Sequence, residues 1–184
     1  MIQQIDDAVL HFFGTLHMPV LNQIMIFVST LGNAGLVWIV ICAVMLCKKR
    51  TRKCGVTMAA ALIIGLLVCN LTLKPLIARV RPFDAHDIAL LISAPSDWSF
   101  PSGHTVSSFG AATSALITLK KRGIPFMVLA VLIAFSRLYL QVHYLSDVLV
   151  GCLLGCLFAV ISNAAVSSIQ NYISKRRNEN ESKQ

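Results

Sequence analysis

Five long apolar runs dominate this sequence and restrict what the chain can fold into. They cover residues 34–47, 55–73, 104–119, 124–140 and 144–169. A helix that crosses the hydrocarbon core of a bilayer needs about 20 mostly apolar residues. Only 13% of all residues are charged, against about 25% in a typical soluble domain. The pattern therefore predicts an all-α protein, a polytopic bundle of transmembrane helices.

The first 33 residues are less regular than the rest. Residues 3–16 are amphipathic, residues 18–31 are apolar but short, and Pro19 separates the two segments. Such segments can lie in the membrane interface or pair into a further span, so five or six spans are expected. We divide the chain into membrane-associated helices over 1–33, a transmembrane domain over 34–170 and a basic, disordered tail over 171–184.

Basic residues cluster between the apolar runs and account for most of the net charge of +8. The clusters lie at residues 48–53, at 120–122 and after residue 174. The positive-inside rule places such loops in the cytoplasm, which puts the loop of residues 75–103 on the outer side of the cell's inner (plasma) membrane. Because the clusters are separated by spans and form no continuous basic face, a nucleic-acid partner is not expected.

Seven further ionisable residues are predicted to meet at the outer face of the membrane. All lie at or near the outer ends of the apolar runs: Lys74, Arg79, Arg81, His104, Arg137, His143 and Asp147. Ionisable groups in membrane helices are costly and usually face the interior of the bundle. The alternative, contact with lipid headgroups by snorkelling, is the interpretation that we favour for Arg79.

The segment SFPSGH, residues 99–104, is typical of a capped helix start. Pro101 suits the first turn, Ser99 is a candidate cap, and Ser102 and Gly103 would present backbone N–H groups to an anion at the helix N-terminus. An ordinary capped helix without a ligand is the alternative.

His143 and Asp147 are spaced to share one face of a helix. A carboxylate there can bond one imidazole nitrogen and raise the basicity of the other, which suits a nucleophile or a base; a purely structural pair is the alternative. Lys74, Arg81 and Arg137 add cations suited to phosphate oxygens. With no cysteine or histidine at zinc-site spacing, metal-free phosphoryl transfer uses this inventory best, and no metal ion or cofactor is expected.

The sequence resembles the type 2 phosphatidic acid phosphatase (PAP2) superfamily of membrane lipid phosphatases, which has a three-part signature. Lys-x6-Arg-Pro matches residues 74–82, Pro-Ser-Gly-His matches 101–104, and Ser-Arg-x5-His-x3-Asp matches 136–147. All fixed positions are present in the right order, and the resemblance extends from about residue 34 to 169. It implies a helical core like that of this superfamily and of the related vanadate haloperoxidases, whose soluble members lack such apolar runs.

The resemblance also implies a role for each signature residue. His143 would attack phosphorus and become a phosphohistidine, Asp147 would orient it, and His104 would protonate the leaving oxygen and then activate water. The phosphate oxygens would be held by Lys74, Arg81, Ser102, Gly103 and Arg137.

The substrate that the resemblance favours is undecaprenyl diphosphate, a membrane lipid that would lose one phosphate. Phosphatidylglycerophosphate and phosphatidate remain alternatives, since the signature recognises phosphate and not the lipid. A lipid transporter or binding protein with an anion site is the alternative from another class.

Overall fold

The computed structural model describes residues 1–86 and 88–181, which are mostly helical. In chain order the helices are α1 (Ile2–Gly14), α2 (Pro19–Leu31), α3 (Leu36–Cys47), α4 (Arg52–Gly65), α5 (Lys74–Ile77), α6 (Pro82–His86), α7 (Gly103–Leu119), α8 (Ile124–Tyr139) and α9 (Leu145–Glu181). A π-helical segment, Leu66–Leu73, joins α4 to α5. The helices α3, α4, α7, α8 and α9 follow the five apolar runs, which confirms the all-α prediction.

Helix α7 lies at the centre of the bundle and packs against α4, α8 and α9. Small residues make the approach of α9 possible: a Cβ atom on Gly155 would lie 2.6 Å from the Val106 carbonyl oxygen and 2.8 Å from the Gly110 nitrogen. A Cβ atom on Gly151 would lie 3.1 Å from the Ser102 carbonyl oxygen. The Gly151-xxx-Gly155 pattern therefore marks a close helix contact, and this contact brings the start of α9 next to the start of α7.

Among the described residues, two helical stretches are long and apolar enough to cross a membrane, Arg52–His86 and Leu145–Glu181. A third candidate is the pair Pro19–Leu31 and Asn33–Cys47, bent by 45°. Helices α7 and α8 have 17 and 16 residues, about 24–26 Å at 1.5 Å per residue. The structure thus supports a membrane bundle, and the count of five or six spans stays a prediction.

The C-terminal segment differs from the expected disordered tail. Helix α9 continues through residue 171 to Glu181, and residues 182–184 lie outside the described part of the chain. Adding residues to an existing helix needs no new nucleus, and Arg177 and Glu181 form an i,i+4 ion pair with 3.0 Å between Nε and Oε1. These two effects account for a helix built from charged residues.

Candidate active site

The predicted site residues meet where four helical segments end or begin. The start of α5, the start of α7, the end of α8 and the loop before α9 border one side of a cavity of about 1330 Å³. Six of the eight predicted phosphate-binding and catalytic residues line this cavity: Lys74, Arg81, Gly103, His104, Arg137 and His143. Ser102 and Asp147 are fully buried behind it. Residues from three separate parts of the sequence therefore converge, as the topology predicted.

His143 lies in the short loop between α8 and α9, with only 2% of its surface exposed. Its Nδ1 atom is 3.4 Å from Oδ2 of Asp147 and its Nε2 atom is 3.3 Å from Nη1 of Arg81. A guanidinium can only donate hydrogen bonds, so Nε2 is the accepting nitrogen and Nδ1 carries the proton toward the carboxylate. Burial lowers the pKa of His143, and the neighbouring Asp147 opposes this only in part. The imidazole is therefore neutral at neutral pH, with its lone pair on Nε2.

Asp147 reaches His143 by a route that differs from the predicted shared helix face. Helix α9 begins at Leu145, so His143 precedes the helix and Asp147 stands in its first turn. One oxygen of Asp147, Oδ2, accepts the backbone N–H of Tyr144 at 2.9 Å and the hydroxyl of Ser99 at 2.5 Å. The carboxylate thus caps its own helix while it faces the imidazole.

Ser99 belongs to the site, and the prediction that it caps helix α7 is wrong. Helix α7 begins at Gly103, and its N-cap residue is Ser102, so Ser99 does not cap this helix. Its Oγ atom lies 2.5 Å from Asp147 and 3.5 Å from Nδ1 of His143. The Ser99 hydroxyl donates to the ionised carboxylate of Asp147 and not to the start of α7, because a charged acceptor forms the stronger hydrogen bond.

Arg81 and Lys74 are held by Asp97, which the signature does not contain. Arg81 donates from Nε to the Asp97 carbonyl at 2.7 Å and from Nη2 to its Oδ1 at 2.6 Å, while Lys74 pairs with Oδ2. Partial burial would raise the pKa of Asp97, but the two cations outweigh it and hold the pKa at about 2. Asp97 therefore stays ionised at neutral pH and keeps both cations aimed at the cavity.

Lys74 and Arg81 do not lie two turns apart on one helix. Helix α5 ends at Ile77, and Ala78 adopts a left-handed conformation with φ of 47°. The chain turns there, so Arg81 approaches the cavity from a loop, where its Nη1 also donates to the Val142 carbonyl at 2.6 Å.

Arg137 comes to the site from the end of α8 and is 3% exposed. It donates from Nη1 to the hydroxyl of Ser29 on α2. Its Nε atom is buried and has no hydrogen-bond partner among the described residues. A buried, unpaired guanidinium N–H is costly, and an oxyanion bound in the cavity would supply the missing acceptor.

His104 stands in the first turn of α7 and is oriented by Asn33. The Nε2 atom of His104 is 3.0 Å from Oδ1 of Asn33, which belongs to the short turn between α2 and α3. At Gly103 a Cβ atom would come within 3.2 Å of Asn70 Oδ1. The glycine therefore leaves room at the start of the helix, where backbone N–H groups favour an anion.

The side chain of Arg79 does not reach toward lipid headgroups, so that interpretation of the sequence is wrong. Its Nη1 atom donates to Asp147 Oδ1 at 2.5 Å and to Ser146 Oγ at 2.7 Å, and its Nη2 atom donates to Asp6 Oδ2 at 2.7 Å. The guanidinium also stacks over the Tyr144 ring, 4.1 Å from its centroid. Two carboxylates inside the fold outcompete solvated headgroups for this cation.

Taken as a set, these groups suit one kind of chemistry. Three cations and a helix N-terminus can hold a tetrahedral oxyanion, and two imidazoles line the same cavity, one of them backed by a carboxylate. The fold and site define a helical membrane protein built for phosphoryl transfer.

Comparison with known proteins identifies the family. Residues 50–170 match the family model described as PAP2 superfamily, and the chain belongs to that superfamily. It is therefore an enzyme, a phosphatase.

Relatives and solved structures agree with this assignment. An undecaprenyl-diphosphatase of Sulfolobus acidocaldarius is 38% identical over 144 residues, covering 77% of this chain and 69% of that protein. The undecaprenyl-diphosphatase BcrC of Bacillus subtilis is 31% identical over 150 residues, covering 77% and 75%. The crystal structure of a transmembrane PAP2-type phosphatidylglycerolphosphate phosphatase from Bacillus subtilis superposes with a TM-score of 0.74 and 32% identity, covering 91% of this chain and 87% of that one.

Proposed function

We propose that this membrane phosphatase removes the terminal phosphate of undecaprenyl diphosphate through a phosphohistidine on His143. One observation carries the catalytic part: Nε2 of His143 faces the cavity beside Arg81 while Nδ1 faces Asp147. This is the arrangement that a nucleophilic imidazole needs.

In the first step, Nε2 of His143 attacks phosphorus and the bond from phosphorus to the leaving oxygen breaks. His104 gives a proton to that oxygen. The charge on the transferred phosphoryl group is stabilised by Lys74, Arg81 and Arg137 together with the N–H group of Gly103. Such preorganised donors usually make the largest contribution to rate. The N–H of Ser102 donates to the Asp147 carbonyl at 3.2 Å, so Ser102 would support the start of the helix and not bind the phosphate through that group.

In the second step, His104 takes a proton from water, and the water oxygen attacks the phosphorus of the phosphohistidine. The bond from phosphorus to Nε2 breaks, which releases inorganic phosphate and restores neutral His143. Asp147 holds the proton on Nδ1 of His143 throughout, so that the group leaving phosphorus is a neutral imidazole and not the far more basic imidazolate.

The choice of lipid rests on the relatives and on the shape of the cavity. Away from the charged end, the cavity is lined by apolar side chains of α3, α4 and the π-helical segment, including Ile39, Leu62, Ile63 and Leu66, which suit a hydrocarbon chain. Two relatives are named for undecaprenyl diphosphate. The similarity to the phosphatidylglycerolphosphate phosphatase structure makes that lipid the second candidate, with phosphatidate behind it.

A side-by-side assay tests the substrate. We expect the purified enzyme in detergent to release phosphate from undecaprenyl diphosphate with a kcat/KM at least 10-fold higher than from phosphatidylglycerophosphate or phosphatidate, a preference of about 1.4 kcal/mol. Activity should survive EDTA because the proposed mechanism routes no step through a metal ion. A preference for phosphatidylglycerophosphate, or a requirement for added Mg²⁺, would contradict this proposal. Lipid binding or movement without phosphate release would favour the transporter.

We also propose that the cavity opens toward the outer side of the membrane and that the catalytic domain comprises residues 34–170. The basic clusters lie at the ends of α3, α7 and α9, while the site lies at the opposite ends of these helices. By the positive-inside rule, this arrangement supports a site on the outer side.

Cysteine labelling in intact cells tests this orientation. A membrane-impermeant maleimide should label an Ala85→Cys variant, changed on the exposed surface of α6, from outside. Native Cys47, which is exposed beside the first basic cluster, should react only after the cells are opened and serves as the internal control. The reverse pattern would invert the orientation.

A further inference from the structure

We infer that Asp6 and Arg79 are positioning residues that act through Asp147 to hold it against His143. This inference rests on the proposed roles of His143 and Asp147. It assigns a part in catalysis to helix α1, which the sequence treats as a membrane-associated segment outside the catalytic domain.

Asp6 is a buried carboxylate on an otherwise amphipathic helix, with 1% of its surface exposed. Its Oδ1 atom accepts the backbone N–H of Ser146 at 2.9 Å, and its Oδ2 atom accepts the Ser146 hydroxyl at 2.6 Å. Both bonds fall in the first turn of α9, where a negative charge is favoured by the helix dipole. Asp6 is thus attached to the residue directly before Asp147.

Arg79 joins the two carboxylates. It donates from Nη2 to Asp6 and from Nη1 to Oδ1 of Asp147, and its stacking on Tyr144 fixes the plane of the guanidinium. The two oxygens of Asp147 therefore have separate tasks. Oδ1 is held by Arg79, whereas Oδ2 accepts from Tyr144 and Ser99 and faces Nδ1 of His143. A carboxylate anchored in this way cannot rotate away from the imidazole.

The charge of Asp6 matters as well as its bonds. With Asp6 ionised, Arg79 is shared between two carboxylates, and Asp147 keeps enough negative charge to stabilise the protonated Nδ1 of His143. Without that charge, Arg79 would pair with Asp147 alone and compete with His143. Conversely, without Arg79 the two carboxylates would repel each other across the space that it fills.

A purely structural role for the Asp6–Arg79 pair is the alternative, since buried ion pairs often add little to stability. Helix α1 has a second attachment that does not involve Asp6: the Gln141 side chain donates from Nε2 to the Leu10 carbonyl at 2.9 Å. Helix α1 should therefore stay in place when the charge of Asp6 is removed, which allows the catalytic effect to be measured in a folded enzyme.

The experiment compares Asp6→Asn and Arg79→Gln with wild type and with Asp7→Asn as the matched control. The Asp7 carboxylate neighbours Asp6 in sequence but contacts Gln3 and His86. We expect kcat for lipid phosphate hydrolysis to fall about 10- to 100-fold in both test variants, the range typical when a group supporting a functional side chain is lost. KM should change less than about 3-fold because the phosphate-binding cations are intact, and Asp7→Asn should stay near wild type.

A double variant and a conservative variant complete the test. Because the two residues act through one contact, Asp6→Asn combined with Arg79→Gln should lose little more than the worse single variant. Asp6→Glu should recover part of kcat. The inference is overturned if kcat in Asp6→Asn matches that of Asp7→Asn, if the two losses multiply, or if only KM changes.

Two further readouts keep the inference testable. If Asp6→Asn does not fold, Arg79→Lys replaces it: lysine keeps the charge but not the fork that bridges two carboxylates, and an unchanged kcat would overturn the inference. Activity that survives His143→Asn would instead reject the proposed nucleophile, so the two failures are distinguishable.

Discussion

Replacing His143 with asparagine is expected to lower kcat by at least about 10⁴-fold, as when a nucleophile that works within a catalytic unit is removed. Asparagine can keep a hydrogen bond near Asp147, so the loop should hold its shape, but no side-chain nitrogen remains that can form a bond to phosphorus. Phosphate release from a lipid diphosphate in detergent measures the loss.

The matched control for this variant is His86→Asn. His86 lies on α6, 39% of its side chain is exposed, and its partner is Asp7 at 3.3 Å, away from the cavity. The activity of His86→Asn should stay within about 2-fold of wild type, the scale of an ordinary surface substitution. If His143→Asn kept more than about 1% of wild-type kcat, well above the loss expected for a nucleophile, another residue would have to form the covalent bond.

Replacing Arg81 with lysine is expected to have the second-largest effect, a loss of about 10²- to 10³-fold in kcat, as for the removal of one preorganised donor. The guanidinium uses Nε and Nη2 to grip Asp97 and so places Nη1 beside Nε2 of His143. The ammonium of lysine is a compact charge without this fork, so it cannot bind Asp97 and lie beside Nε2 of His143 at the same time. Steady-state kinetics on the same lipid measures the effect.

A suitable control for this exchange is Arg177→Lys, at a site on α9 where 79% of the side chain is exposed. It makes the same chemical change far from the cavity and should leave kcat unaltered. Wild-type kcat/KM in Arg81→Lys would show that charge alone suffices at this position and would contradict the assigned geometry.

Much of the site could be predicted because the residues that bind and attack phosphate lie in short local motifs. Lys74, Arg81, His104 and His143 stand at fixed spacings next to apolar runs, and alternate helices of a membrane bundle return to the same face. Their convergence on one cavity follows from this topology, whatever the packing details.

The supporting residues could not be predicted in the same way. Asp6 bonds Ser146, 140 positions further along the chain, and the amphipathic pattern of residues 3–16 does not say which part of the bundle α1 covers. Asp97 and Ser99 lie in a loop without periodicity, where only the docked structure shows which charge each one meets. The prediction that Arg79 contacts lipid headgroups is wrong for the same reason, because its two acceptors come from α1 and α9.

Helix boundaries were the other source of error. The i,i+4 spacing of His143 and Asp147 suggested one helical face, yet α9 starts between them at Leu145. The contact survives because the N–H of Tyr144 binds Asp147 and folds the loop back over the helix start. The spacing thus predicts the contact between His143 and Asp147 correctly, but the prediction that both lie on one helix face is wrong.

The most direct test of the account is to trap the covalent intermediate. Wild-type enzyme and His104→Asn are mixed with undecaprenyl diphosphate labelled with ³²P in its terminal phosphate, quenched at alkaline pH to preserve phosphohistidine, and mapped by peptide mass spectrometry. We predict label on His143, and in His104→Asn label that forms more slowly and also decays more slowly, because His104 both protonates the leaving oxygen and activates water. Label on any other residue, or turnover with no covalent label at all, would contradict the account.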